Sequence, residues 1–164
     1  MKRILLIALG LLLLVLGARA LFRALSSDET KLRWRLEAME EGYNEGDVGD
    51  AIGPIARDWK HDGAGEVTRD YVSRGLAYRS FQGYDQATDE RIWRLEIDWD
   101  SLLILVEGDE ATTEFVATFL ERGRDGWNVE WKLEADCRWR RSSEGWFLYA
   151  SSHENLEGSR GAMR

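Results

Sequence analysis

The chain is 164 residues long, 44% hydrophobic and 32% charged, with a formal net charge of −8. That length suits one domain with its own core, and the acid excess repels phosphate backbones, which excludes nucleic acid as a partner. The lone cysteine, Cys137, allows no disulfide within the chain and reads as a small buried hydrophobe.

Met1, Lys2 and Arg3 precede an apolar run from Ile4 to Leu16, followed by Gly17, Ala18, Arg19 and Ala20, the layout of an export signal. Two outcomes stay open. Cleavage after Ala20 would leave a periplasmic or secreted protein. Retention would make residues 1–25 a single-pass anchor in the cytoplasmic membrane, with Ala18, Ala20, Leu21 and Phe22 lengthening the run towards the roughly 20 residues a span needs and Arg19 snorkelling. Either way the membrane is a partner through Ile4 to Leu16, and the remainder lies in the periplasm or outside. The leading segment holds Lys2, Arg3, Arg19 and Arg23 and no acid, so the exported part is more acidic than the whole. Residues 26–157 form one domain, and 158–164, small, polar and basic, read as a disordered tail.

Within the domain, Ser26 and Glu29 form a capping box. Leu32, Leu36, Met39 and Tyr43 then recur at helical spacing up to Gly46. Asp47 caps a second, short helix whose apolar face is Val48, Ile52, Ile55 and Trp59, kinked or restarted at Gly53 and Pro54. His61 to Gly65 reads as a turn, and Thr68 caps a third helix with Val72, Leu76 and Phe81 inward. The period then changes to two. Trp93, Leu95, Ile97 and Trp99 alternate with Arg94, Glu96, Asp98 and Asp100, and a strand follows from Leu102 to Val106. Ala111 to Leu120, Trp127 to Arg140 and Trp146 to Ser151 complete an antiparallel meander joined by short turns. Three N-terminal helices on one face of a strongly curved antiparallel sheet make an α+β domain.

The longest alternation sets Trp127, Val129, Trp131, Leu133, Ala135, Cys137 and Trp139 on one face and Asn128, Glu130, Lys132, Glu134, Asp136, Arg138 and Arg140 on the other. That inward face has no acid or base, so what it offers is packing and stacking. Trp93, Trp99, Trp127, Trp131 and Trp139, with Phe115 and Phe119, are the expected residues of a ligand-binding concavity or an interface, since indole presents a large rigid apolar surface with one donor.

The helix, the short helix introduced by Glu45-Gly46-Asp47-Val48, the turn at Asp58-Trp59, the helix opened by Val67-Thr68-Arg69-Asp70 and a meander ending in Gly145-Trp146-Phe147-Leu148 resemble, in that order, the nuclear transport factor 2-like superfamily. The resemblance runs from about Asp28 to Glu157 and is similar to bacterial members that carry such a domain behind a membrane segment. It implies a cone-shaped domain with a pocket open at one end. Some members are isomerases, dehydratases or cyclases, and others only bind ligands or dimerise through the sheet, so the fold does not choose.

Enzyme members place a carboxylate or a histidine–carboxylate pair in the pocket, and the catalytic candidates here are His61, Asp62 and Tyr43. Adjacent residues seldom point the same way, and a Gly-rich turn is where solvated His61 and Asp62 would sit. Tyr43 continues an apolar stripe, and Tyr78 is a second phenol on a helix. His153, beside Glu154 after the last strand, reads as surface. Asp98 and Asp100 flank Trp99 on the solvent face without a third ligand, so no metal site is expected. Gly63-Ala64-Gly65 lacks the lysine and preceding strand of a phosphate loop, and no motif implies a cofactor. The reading is a non-catalytic, membrane-tethered binding or interaction module, taking an apolar small molecule or a second copy through the sheet. The alternative is a small cofactor-free lyase or isomerase acting on a hydrophobic carbonyl compound, with His61 or Asp62 as base and a tyrosine at the oxyanion.

Overall fold

The computed structural model describes residues 26–63, 67–85 and 90–158, together with Leu9. The expected membrane segment, the Ala20 junction and the tail beyond Gly158 lie outside these. Among the described residues no helix is long and apolar enough to cross a membrane.

Helix α1 spans Asp28–Glu45, and its cap is Ser27 rather than Ser26: the Thr30 N–H donates to the Ser27 hydroxyl at 3.3 Å. Leu32 and Leu36 bury the expected stripe. The helix ends at Gly46, whose φ of 74° lies in the left-handed region where only glycine is unstrained. Asp47 caps α2, Val48–Ile52, which packs so closely on α1 that a Cβ at Gly42 would come within 2.4 Å of the Ala51 nitrogen.

The second helix does not continue past Pro54. The proline removes a donor and breaks the register, and Ile55–His61 is instead strand β1. Its period of two turns Trp59 and His61 to the same side, whereas helical spacing would have grouped Trp59 with Ile55 and Ile52. Thr68 caps α3, Arg69–Gln82, as expected. Val72 and Leu76 pack against the core, but Phe81 is 91% exposed, contrary to its expected inward position. A two-stranded ribbon, β2 at Tyr84–Asp85 and β3 at Glu90–Arg91, precedes the sheet.

The main sheet is formed by β1 with β4 (Trp93–Glu107), β5 (Glu110–Gly123), β6 (Gly126–Ser142) and β7 (Gly145–Gly158), in the order β1-β7-β6-β5-β4. The meander is antiparallel throughout, while β1 adds to β7 in parallel. Helix α1 lies across the concave face on β4 and reaches β7. The core between them holds Leu32, Leu36, Phe115, Trp131, Leu133, Trp139, Trp146 and Leu148. At its centre two side chains without solvent contact satisfy each other, Trp139 Nε1 donating to Thr113 Oγ1 at 2.9 Å.

The strict alternation expected from Trp127 to Trp139 is interrupted. Phe119 pairs with Trp131 but Leu120 pairs with Val129, so Glu130 is one residue too many, a β-bulge. One inserted residue exchanges the two faces of everything before it. Trp127 and Val129 are therefore 41% and 43% exposed, and Glu130 turns inward. The expectation that this strand brings no acid to the interior is overturned. The last strand also runs to Gly158 rather than stopping at Ser151, which places His153 inside the sheet.

Candidate functional site

Two polar clusters lie on the concave side, both beyond what alternation alone revealed. The first joins the ends of the parallel pair. His61 closes β1 opposite Ser151 of β7, and His153, opposite Ala135 of β6, points to the same side. His61 Nε2 and His153 Nδ1 are 2.7 Å apart, so one ring donates and the other accepts. This bond requires at least one neutral imidazole, because an imidazolium has no acceptor nitrogen. The rings are walled by indoles edge-on to them, Trp59 at 6.1 Å from His61 and Trp131 at 5.1 Å from His153. Trp131 is fixed by donating its Nε1–H to Asn155 Oδ1 at 2.8 Å and by stacking on Phe119 at 5.2 Å. Trp59 is only 7% exposed, and its Nε1 is buried without a hydrogen-bond partner among the described residues. Trp59 and His61, with Val67 and Thr68 from the start of α3, line an open groove whose rim is charged through Arg57, Asp58, Lys60 and Asp62.

The second cluster is built by the bulge. Glu130 receives two hydrogen bonds from the Arg79 guanidinium, at 3.1 and 3.2 Å, and Arg79 also donates to Tyr43 Oη at 3.2 Å while lying 4.8 Å from the centre of the Trp93 ring. Both partners of the ion pair are largely enclosed. Burial opposes the Arg79 charge, but the bonds to Glu130 and Tyr43 outweigh it and hold its pKa above the ordinary value. Burial pushes the Tyr43 phenol up despite the cation beside it, so it stays protonated. The cluster clamps α1, α3 and β6 together.

The remaining expected residues divide by position. Asp62 is exposed and paired with Arg138, so it and His61 point apart. Tyr43 touches Phe119 edge-on at 5.6 Å, and Phe119 and then Trp131 stand between it and His153 in the sequence of ring contacts. Phe115 and Trp139 belong to the closed core. Trp93 and Trp99 are half-buried beneath Arg79 and Arg33, Trp127 faces out, and Tyr78 is 59% exposed. His153, expected at the surface, is instead half-buried against His61 and Trp131. Arg79, Glu130, Asn155 and Trp59 had no role assigned. The signal for His153 and Asn155 was present, because Ser151, His153 and Asn155 alternate with Ser152 and Glu154. No local pattern announced the bulge.

No protein-family model and no curated protein matches the chain at a significant level. Solved structures do match. A nuclear transport factor 2-like protein with a cystatin-like fold from Novosphingobium aromaticivorans superposes with a TM-score of 0.64 at 16% identity, over 90% of this chain and 92% of that one. A cystatin-like protein of unknown function from Nostoc punctiforme gives 0.58 at 18% identity, over 77% and 90%. A provisionally assigned dehydratase of the nuclear transport factor 2-like family from Streptomyces avermitilis gives 0.59 at 14% identity, over 79% and 96%. The chain has this fold: helices packed on a curved, unclosed, mostly antiparallel sheet.

Proposed function

We propose, with the nuclear transport factor 2-like fold as premise, that this chain is a membrane-tethered binding module whose site is the groove beside β1. The ligand that fits is a small apolar molecule with a carbonyl or carboxylate head. Its body lies on the Trp59 indole, and its acceptor atom takes a hydrogen bond from the Trp59 Nε1–H. The observation that carries this reading is the buried, unpartnered Nε1 of Trp59, an indole that lines an open groove beside the His61–His153 pair. A buried donor left without an acceptor costs about 1–3 kcal/mol, which a ligand oxygen would return.

The tether rests on the Ile4 to Leu16 run and places the groove outside the cytoplasm. A thermal-shift screen of the full-length chain in detergent against small aryl and alkyl carboxylates and ketones tests the site. A ligand at about 100 times its dissociation constant stabilises the fold by about 2.7 kcal/mol. Shifts shared by wild type and Trp59→Phe/His61→Gln would refute the assignment, and shifts lost in that variant support it.

A second reading, an acid–base enzyme, is favoured by the His–His hydrogen bond, since a neutral imidazole held by another is a base within reach of the groove. In that reading His61 and His153 exchange the proton. Asp62 and Tyr43 take no part, Asp62 because it faces Arg138 and Tyr43 because two rings intervene. Turnover of a carbonyl substrate that is lost in His153→Gln while binding persists would select it.

A further inference from the structure

The chain contains two histidines, and the fold brings both to one point. His61 ends β1 and His153 lies on β7, and the parallel pairing of these strands fixes the backbone beside both rings, with the Asp62 N–H donating to the Ser151 carbonyl at 2.8 Å. His61 Nε2 and His153 Nδ1 face each other at 2.7 Å, with ring centres 4.8 Å apart. Trp59 stands edge-on against one ring and Trp131 against the other, and Trp131 is itself held by Asn155 and Phe119. Both imidazoles are half-buried, and His61 lines the open groove beside β1. Two ring nitrogens held together on rigid strands around one proton are also placed to share a metal ion, for which neutral imidazole is the commonest ligand. When the ion enters, the ring that had donated takes the tautomer with its proton on the other nitrogen, and both facing nitrogens present lone pairs.

We infer that His61 and His153 form a binding site for a divalent transition-metal ion, and that copper(II) is the ion that fits it. The spacing chooses among metals. An imidazole nitrogen lies about 2.0 Å from its ion, so two of them at the right angle of a square-planar or tetragonal centre are about 2.8 Å apart, and at a tetrahedral angle about 3.3 Å. The observed 2.7 Å matches the first. Square-planar coordination by nitrogen and oxygen belongs to copper(II) and nickel(II), and copper(II) is bound the more tightly of the two. Calcium and magnesium require oxygen ligands, which the pair does not offer. Among the described residues no third histidine, cysteine, aspartate or glutamate joins the two rings. The other positions in the plane therefore fall to water or to an oxygen donor lying in the groove. Asp62 is turned away to Arg138, and Asp98 and Asp100 are exposed on β4, so none of them takes part. The site does not depend on the apolar ligand proposed above.

Because the sequence holds only these two histidines, imidazole signals from bound copper(II) count the rings directly. One equivalent of copper(II) sulfate is added to the full-length chain in detergent, purified without a histidine tag and stripped with EDTA, and pulsed electron paramagnetic resonance reads the remote ring nitrogens. The expected result is a tetragonal copper(II) spectrum with the combination lines of two imidazoles on one ion, unchanged when the protein is diluted, since both rings come from one chain. His61→Gln and His153→Gln should each show a single imidazole. Each should also bind copper(II) about 100-fold more weakly in competition with a chelator, because the second ring otherwise binds within the same molecule. A wild-type spectrum with one imidazole or none, or a two-imidazole spectrum lost on dilution, would overturn the site whether or not either variant folds. Equal copper affinity in the wild type and both folded variants would overturn it as well.

Discussion

Replacing Glu130 by alanine probes the bulge on which the interior depends. Glu130 and Arg79 keep only 17% and 14% of their side-chain surface in solvent, and their two hydrogen bonds are bidentate and charge-assisted. Removing one member of such a pair leaves the other charge enclosed, a loss of about 3 kcal/mol. For a domain of this size that lowers the melting temperature by about 10 °C. Arg79→Met/Glu130→Met removes both charges and fills the space, and should lie within about 1.5 kcal/mol of wild type. Thermal and urea unfolding of the full-length chain in detergent, followed by tryptophan fluorescence, reads both values. If Glu130→Ala were as stable as wild type, Glu130 would face water, the alternation would be continuous, and Trp127 would belong inside.

Thr113→Val leaves the Trp139 Nε1–H without its acceptor at a site closed to solvent, and should cost about 1–3 kcal/mol in urea unfolding. Phe81→Ser, at a side chain 91% exposed, should change stability by less than about 0.5 kcal/mol. Burial pushes the Cys137 thiol up to about 12. In the unfolded chain it ionises near about 8.5, so between these values the native state holds a proton that the unfolded state has lost. Its contribution is complete below the lower value and drains as pH rises towards the upper, at up to about 1.4 kcal/mol per pH unit. Cys137→Ala should flatten the alkaline fall in stability, and the native thiol should resist iodoacetamide at pH 8.

Much of the fold was legible because local and global signals agreed. Asp47 and Thr68 cap the helices they were expected to cap, and Gly46 ends α1. Four strands follow from period-two runs punctuated by short turns, with Leu102 to Val106, expected as a separate strand, continuing β4. The failures share a physical origin, in that period says which residues share a face only while the backbone stays regular. Pro54 converts Ile55 to Trp59 from helix to strand, and the strand runs on through His61, expected in a turn, so Trp59 and His61 become neighbours on one side. The extra residue at Glu130 satisfies a long-range partner, Arg79 on α3, which no window around the strand contains. Phe81 looked inward by spacing but sits at the last turn of α3 with its ring in solvent. The histidine pair depends on β1 and β7 pairing in parallel across 92 positions of sequence, a contact the topology supplies and composition does not.

The most direct test of the binding reading is native mass spectrometry of the full-length chain released from membranes of its own host, beside Trp59→Phe/His61→Gln prepared in the same way. The account predicts a non-covalent adduct of small mass on the wild type that is missing from the variant. Bare protein in both, or the same adduct on both, would contradict a ligand site at the groove beside β1.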